Sequence, residues 1–231
     1  MLISFELQRK NMVESQVRPS DITDRRILRA MHEVPREAFV PAETRATAYI
    51  DQDLAVTPAA AAGQRRFLLA PRLLAKCIQH LELGDRDSVL DVGCATGYST
   101  AILARIARSV VGLESDAALA GVAKATLATV QPAAAEGAVA DVRVVTGALA
   151  AGWPDEGPYD AILLAGAIPD VPATLLDQLK DGGRLVAVVN DAGVGRLTQW
   201  RRLGTTFDAR PLADAAAAQL PGFERQPRFV F

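Results

Sequence analysis

The sequence predicts an α/β fold: a doubly wound, mainly parallel sheet with antiparallel strands added by its C-terminal part and a helical extension at its N-terminus. Three observations lead there. From Ser88 onward short apolar strands alternate with helical segments, a glycine-bearing turn joins the first of those strands to its helix, and acids stand at the ends of two successive strands.

The elements follow in order. Residues 6–47 carry Leu, Val, Ile and Met at helical spacing, interrupted at Pro19, Pro35 and Pro41, where a missing N–H and a ring clash break helices. Several short helices are therefore expected. Ser20-Asp21 and Thr23-Asp24 offer side-chain oxygens to cap the one that runs through Ile27, Leu28 and Met31. Residues 49–64, with Pro58, an alanine run and Gly63, read as a mobile loop. A helix over 71–81 leads into a strand at 89–92, a helix at 98–107, a strand at 110–113 and a helix at 117–130. Residues 131–140 read as a loop. Strands at 142–145, 161–164 and 184–189 complete the core, the last preceded by an Asp181-Gly182-Gly183 turn. In the tail, 203–207 and 229–231 can each add an antiparallel edge strand. One domain over 1–231 is expected from the length, with 1–83 as N-terminal helices and loop, 84–190 as the core and 191–231 as C-terminal strands.

Composition narrows the function. Lys and Arg number 25 against 27 Asp and Glu, so the chain has no excess of basic charge for a phosphate backbone, and nucleic acid is not an expected partner. Cys77 and Cys94, with His32 and His80, show neither a disulfide framework nor zinc-ligand spacing. No metal is expected. The first residues lack the apolar run of a signal segment, and no stretch approaches the roughly 20 apolar residues that span a bilayer. A soluble protein of the reducing cytoplasm, with no membrane partner, is the expectation.

The strongest chemical signal is Asp91-Val92-Gly93-Cys94-Ala95-Thr96-Gly97, lying between a strand and a helix. Gly93 and Gly97 permit a tight turn and close backbone approach. Their G-x-x-x-G spacing is not the G-x-G-x-x-G of a dinucleotide loop, and the preceding acid would repel a pyrophosphate. It suits an ammonium group instead. Glu114, 23 residues after Asp91, closes the second strand, where a carboxylate can accept from both hydroxyls of a ribose. Arginine pairs at Arg25-Arg26, Arg65-Arg66 and Arg201-Arg202 read as solvated faces, with Arg65-Arg66 the best placed for a role. Trp153, Trp200 and Tyr159 read as packing residues, and Cys94 as a small buried one.

These residues carry a family resemblance. VLDVGCATGYSTAILARIA resembles the first motif of class I S-adenosylmethionine-dependent methyltransferases, whose fold is Rossmann-like, and VVGLESD resembles their second. NMVESQVRPSDITDRRILRAMHEVPREAFVPAETRATAYIDQDL and GPYDAILLAGAIPDVPATLLDQLKDGGRLV are similar to protein-L-isoaspartate O-methyltransferases. The resemblance runs over about residues 12–189. It implies methyl transfer from S-adenosylmethionine, with S-adenosylhomocysteine as product, to a carboxylate of a peptide or protein in the service of protein repair, by an enzyme expected to be a monomer.

Carried over residue by residue, the resemblance places Asp91, Gly93, Ala95, Gly97 and Tyr98 at the methionine part. Glu114 and Ser115 fall at the ribose, and Gly147, Ala148 and Leu149 at the adenine. Three positions depart from the family pattern: Ala95 replaces a glycine, Ala148 an acid, and Leu69 the serine of a Thr-Ile-Ser-x-Pro segment beside the transferred methyl. An alkyl group at Leu69 cannot orient an acceptor oxygen. A different acceptor, or cofactor binding without isoaspartyl activity, is the alternative. Arg65 and Arg66, with Pro71, are the expected substrate contacts, a guanidinium clamping the acceptor carboxylate in place of the lost serine. Residues 51–66 are expected to close over the methyl site when ligands are present.

Overall fold

Successive residues of a strand face opposite ways, and in the central strands both sets are apolar. In the computed structural model Val89, Ala161, Leu163 and Val186 pack into one core, while Leu90, Ile162, Leu164 and Leu185 pack into another. A sheet buried on both faces needs cover on both. The structure describes residues 4–57, 65–130, 140–191 and 193–224.

The N-terminal extension is helical. It comprises α1 (Phe5–Met12), a π turn (Val13–Val17), a 3-10 turn (Arg18–Ser20) and α2 (Arg25–Glu33), then 3-10 turns at Arg36–Phe39 and Ala42–Thr47. Pro35 and Pro41 stand immediately before the last two. Asp24 caps α2 by accepting from Arg26 N at 2.8 Å, whereas Asp21 takes a left-handed φ of 61° in the preceding turn. Part of the stretch read as a loop is paired: β1 (Leu54–Ala55) runs antiparallel to β2 (Phe67–Leu68). Residues 58–64 lie outside the described ones. Helix α3 (Pro71–His80) opens with proline at its first position, where the lost N–H has no partner to miss.

The core continues with β3 (Ser88–Val92), α4 (Tyr98–Leu103), β4 (Ser109–Glu114), α5 (Ala117–Val130) and β5 (Asp141–Thr146). It ends with β6 (Tyr159–Ile168), α6 (Ala173–Leu176), β7 (Leu179–Asp191), β8 (Val194–Leu203) and β9 (Thr206–Asp214). The seven-stranded sheet has the order β5-β4-β3-β6-β7-β8-β9. Strands β5, β4, β3, β6 and β7 are mutually parallel, and β8 and β9 are antiparallel additions. The winding reverses between β3 and β6. A crevice beyond the carboxyl ends of strands at such a switch point is where open α/β sheets bind ligands.

Four expectations are corrected. The helix expected over 98–107 stops at Leu103, because Arg105 N and Ile106 N bond back three residues to Ile102 and Leu103 and tighten the chain into turns. The Asp181-Gly182-Gly183 turn is a bulge inside β7, with Gly182 at φ 76° and the register against β6 shifting there. Residues 203–207, expected as one edge strand, are split: Leu203 ends β8, Thr206 and Phe207 open β9, and Gly204 at φ 61° turns the hairpin between them. The loop expected at 49–64 holds β1. Residues 131–139 and 229–231, where a loop and an edge strand were expected, lie outside the described residues. Among the described residues no helix is long and apolar enough to cross a membrane.

Candidate functional site

The turn from β3 to α4 sits at the switch point and is built on three left-handed residues, Gly93 at φ 80°, Ala95 at φ 51° and Gly97 at φ 95°. Glycine adopts this region without penalty, whereas an alanine there costs roughly 1–2 kcal/mol. Hydrogen bonds hold Ala95 in place: its N–H donates to Glu114 Oε2 at 2.8 Å, while Gly93 N and Cys94 N both donate to Leu113 O. A methyl group thus fits where the family pattern has glycine. Gly97 lets α4 lie close to α5, since a Cβ there would stand 3.3 Å from the Ala123 methyl.

Asp91 lies fully buried in β3, one residue before its end. Ser99 Oγ and Thr100 Oγ1, in the first turn of α4, donate to its Oδ2 at 2.7 and 2.6 Å. Its Oδ1 is buried with no partner. Desolvation pushes the carboxyl up to about 6, the two hydroxyls and Arg66 opposing the rise and Glu114 adding to it. An unpaired buried carboxylate oxygen is costly, and a cation supplies what it lacks.

Glu114, equally buried at the end of β4, is the reverse case. Its Oε1 accepts from Ser115 N, Ser115 Oγ and Asp116 N, and its Oε2 from Ala95 N and from Arg66 Nη2 at 2.8 Å. Five donors exhaust a carboxylate with about four lone-pair sites. Arg66 was expected to face an acceptor carboxylate and instead reaches into the turn, because its buried guanidinium needs the nearest buried anion.

The crevice itself is filled. A Cβ placed on Gly93 would lie 2.6 Å from Leu220 Cδ2 and 3.1 Å from Arg66 Nη2, and one on Gly166, in β6, 2.8 Å from the same Leu220 methyl. Leu220 is carried by a strap beyond β9, where Ala167 N donates to Ala218 O and Leu220 N to Ala167 O, both at 2.8 Å. Asp53 ties that strap to the segment before α3: its Oδ1 accepts from Ala70 N and its Oδ2 from Ala218 N. Sequence reading missed Leu220 and Asp53, whose contacts are long-range. It also missed Ser99 and Thr100, although two hydroxyls in the first helical turn after the glycines are a readable signal.

The remaining expected residues divide. Gly147 N donates to Glu114 O at 3.1 Å and a Cβ there would meet the Trp153 ring, so 147–149 border the crevice beside β4. Ala148 and Ser115 are exposed and Leu149 is buried. Tyr98 turns its ring away, against Phe39 and under the buried Arg36 guanidinium. Leu69 is buried, its carbonyl accepting from Arg36 Nη2 at 2.8 Å. Beside it, between Tyr98, Ser99 and Ala165, lies a cavity of about 10 Å³, room for a single water. Pro71 is buried at the start of α3, and Arg65 is exposed and stacks over Phe67.

The unpaired Asp91 oxygen therefore suits an ammonium, while Arg66 and Leu220 pack against the glycine turn beside it. Comparisons with known proteins agree with the architecture. Residues 7–214 match the family described as protein-L-isoaspartate(D-aspartate) O-methyltransferase. The protein-L-isoaspartate O-methyltransferase of Methanoculleus marisnigri is 38% identical over 182 residues, covering 79% of this chain and 77% of that one. That of Herpetosiphon aurantiacus is 35% identical over 218 residues, covering 94% and 92%. A Plasmodium falciparum structure described as a putative protein-L-isoaspartate O-methyltransferase with S-adenosyl-L-homocysteine shares the fold, with a TM-score of 0.73 at 18% identity, covering 95% of this chain and 99% of that one. With the glycine turn, the two buried acids and the reversed winding in place, the chain belongs to the protein-L-isoaspartate(D-aspartate) O-methyltransferase family of S-adenosylmethionine-dependent enzymes.

Proposed function

We propose that this chain is a single-domain, monomeric methyltransferase of the cytoplasm. It takes S-adenosylmethionine in the β3/β6 crevice and methylates carboxylates of peptides or proteins, isoaspartyl ones poorly, with no nucleic-acid or membrane partner. The observation that carries the cofactor reading is the partnerless Asp91 Oδ1 beside the bare glycine turn. Asp91 holds the ammonium, Gly93, Ala95, Gly97 and the backbone of Tyr98 line the methionine part, and Glu114 with Ser115 takes the ribose. Gly147, Ala148 and Leu149 flank the adenine, with no side-chain acid at Ala148 to receive its amino group.

When bound, S-adenosylmethionine supplies an electrophilic methyl on a sulfonium. A carboxylate with a reference pKa of about 3.9 is already ionised near neutrality, so the chain needs no general base. Its residues have to orient the acceptor and exclude water. On this reading the acceptor meets Leu69, an apolar wall beside a cavity of about 10 Å³, with Arg65 and Arg72 the exposed cations on either side of it in sequence.

Losing one positioned donor beside a reacting oxygen typically costs ~10²–10³ in rate. Labelled methyl transfer to an isoaspartyl peptide should therefore be weak for the wild type and rise by roughly 10²-fold in Leu69→Ser. Strong wild-type transfer that Leu69→Ser leaves unchanged would return the chain to ordinary isoaspartyl repair.

A further inference from the structure

Two groups of this chain pack into the switch-point crevice, and they come from opposite directions. Arg66, on the acceptor side, takes the last acceptor site of Glu114. Leu220, on the strap, seats a methyl against the bare faces of both Gly93 and Gly166, the two glycines that border the switch-point crevice. We propose that Arg66 and Leu220 form an internal latch, which closes the crevice in the unloaded protein and which S-adenosylmethionine must displace in order to bind. The proposal rests on the reading of the crevice as a cofactor site.

The closed state satisfies its own polar groups poorly. Arg66 Nε is buried with no partner, and so is Asp91 Oδ1. Leaving each such group unpaired is costly, a cost that a permanent core contact would not be expected to keep. An ammonium on Asp91 relieves one of these costs. Ribose hydroxyls that replace Arg66 on Glu114 release the guanidinium to solvent or to an acceptor carboxylate, relieving the other. Glu114 is not left stranded by the exchange, since Ser115 N, Asp116 N and Ala95 N still donate to it.

Asp53 makes the latch one unit. A single carboxylate accepts from Ala70 N, next to Leu69, and from Ala218 N, two residues before Leu220. Movement of the strap is thereby felt at the acceptor position, and cofactor entry and acceptor-pocket shape are linked. The apparent affinity of a site that opens only part of the time is its intrinsic affinity reduced by the open fraction.

The test is calorimetric titration of S-adenosylhomocysteine into the full chain as wild type, Arg66→Gln and Leu220→Ala, with thermal melts to confirm folding. Leu220→Ala opens a cavity and lowers stability, whereas Arg66→Gln keeps a hydrogen-bonding side chain; the two fail independently. Both variants should bind at least tenfold tighter than wild type, corresponding to a latch closed about nine-tenths of the time or more. In the wild type, amide exchange at Ala167 and Leu220 should accelerate on titration, because their bonds across the strap are the ones broken. Wild-type binding that both variants leave unchanged, with unaltered exchange at those amides, overturns the latch and keeps the cofactor site. No binding by wild type or either variant overturns the cofactor reading and the latch with it.

Discussion

The two buried acids of the crevice sit on adjacent parallel strands, and their surroundings are opposite. Asp91 is met only by two hydroxyls and keeps one oxygen bare, whereas Glu114 is met by three backbone amides, a hydroxyl and a guanidinium. Burial is the same for both, so burial does not set their readiness. What differs is the source of their partners: Asp91 takes its donors from the helix that follows it, while Glu114 also receives one from a distant segment, through Arg66. The Asp91 end of the crevice is chemically open and the Glu114 end is chemically closed.

The largest expected effect breaks this comparison at its open end. Asp91→Asn keeps the size of the side chain and removes the charge, and it should weaken S-adenosylhomocysteine binding by roughly 10–100-fold in a calorimetric titration. Glu114→Gln should lose less, because the same change frees Arg66. Equal losses in the two variants would show that the ends are alike.

A smaller effect concerns pH. Because burial raises the Asp91 carboxyl from 3.8 to about 6, with Glu114 assisting and Arg66, Ser99 and Thr100 opposing, the folded chain without cofactor holds a proton that the unfolded chain releases. Its contribution to stability is therefore present below about pH 4 and lost as pH rises through 6. Ammonium binding needs the ionised form, so affinity should run the other way, strengthening about tenfold from pH 5 to 7 and levelling above that. Titrations at several pH values check this, with Asp91→Asn giving a flat profile. The smallest effect separates neighbours: Arg65→Ala should leave S-adenosylhomocysteine affinity within about twofold, since a solvated stack contributes little, in contrast to Arg66→Gln. A large loss with Arg65→Ala would put the acceptor-side cations on an equal footing.

What the sequence disclosed tracks how local each interaction is. The β3 turn and the strand–helix alternation depend on residues within a few positions of one another, and residues 91–97 and 117–130 were readable for that reason. Helix α5 falls on the expected bounds. Leu69 was placed from the proline two residues on, and the structure adds that it is buried beside a small cavity. Arg66 was singled out for an acceptor carboxylate, and its pairing with Glu114 was not foreseen: it spans 48 residues, and no local pattern ranks one buried acid above an incoming carboxylate. Leu220 left no mark at all, since a leucine in an alanine-rich tail looks the same whether it caps a surface or plugs a crevice. The bulge at Gly182 and the hairpin at Gly204 were misread for a related reason. Glycine announces a positive φ but not whether the strand resumes on the same ladder.

The Asp53 to Ala218 bond joins residues 165 positions apart, and this has a consequence for the order in which the molecule comes into being. Chains are made from the N-terminus, and contacts of long sequence separation form late. When β3, β4, β6 and β7 have left the ribosome, the glycine turn and its two acids already exist, yet Leu220 and the strap that carries it have not been synthesised. For that interval the nascent crevice stands unplugged. A nucleoside present during synthesis would meet a more accessible site than the finished protein offers, and the strap would then have to fold around it.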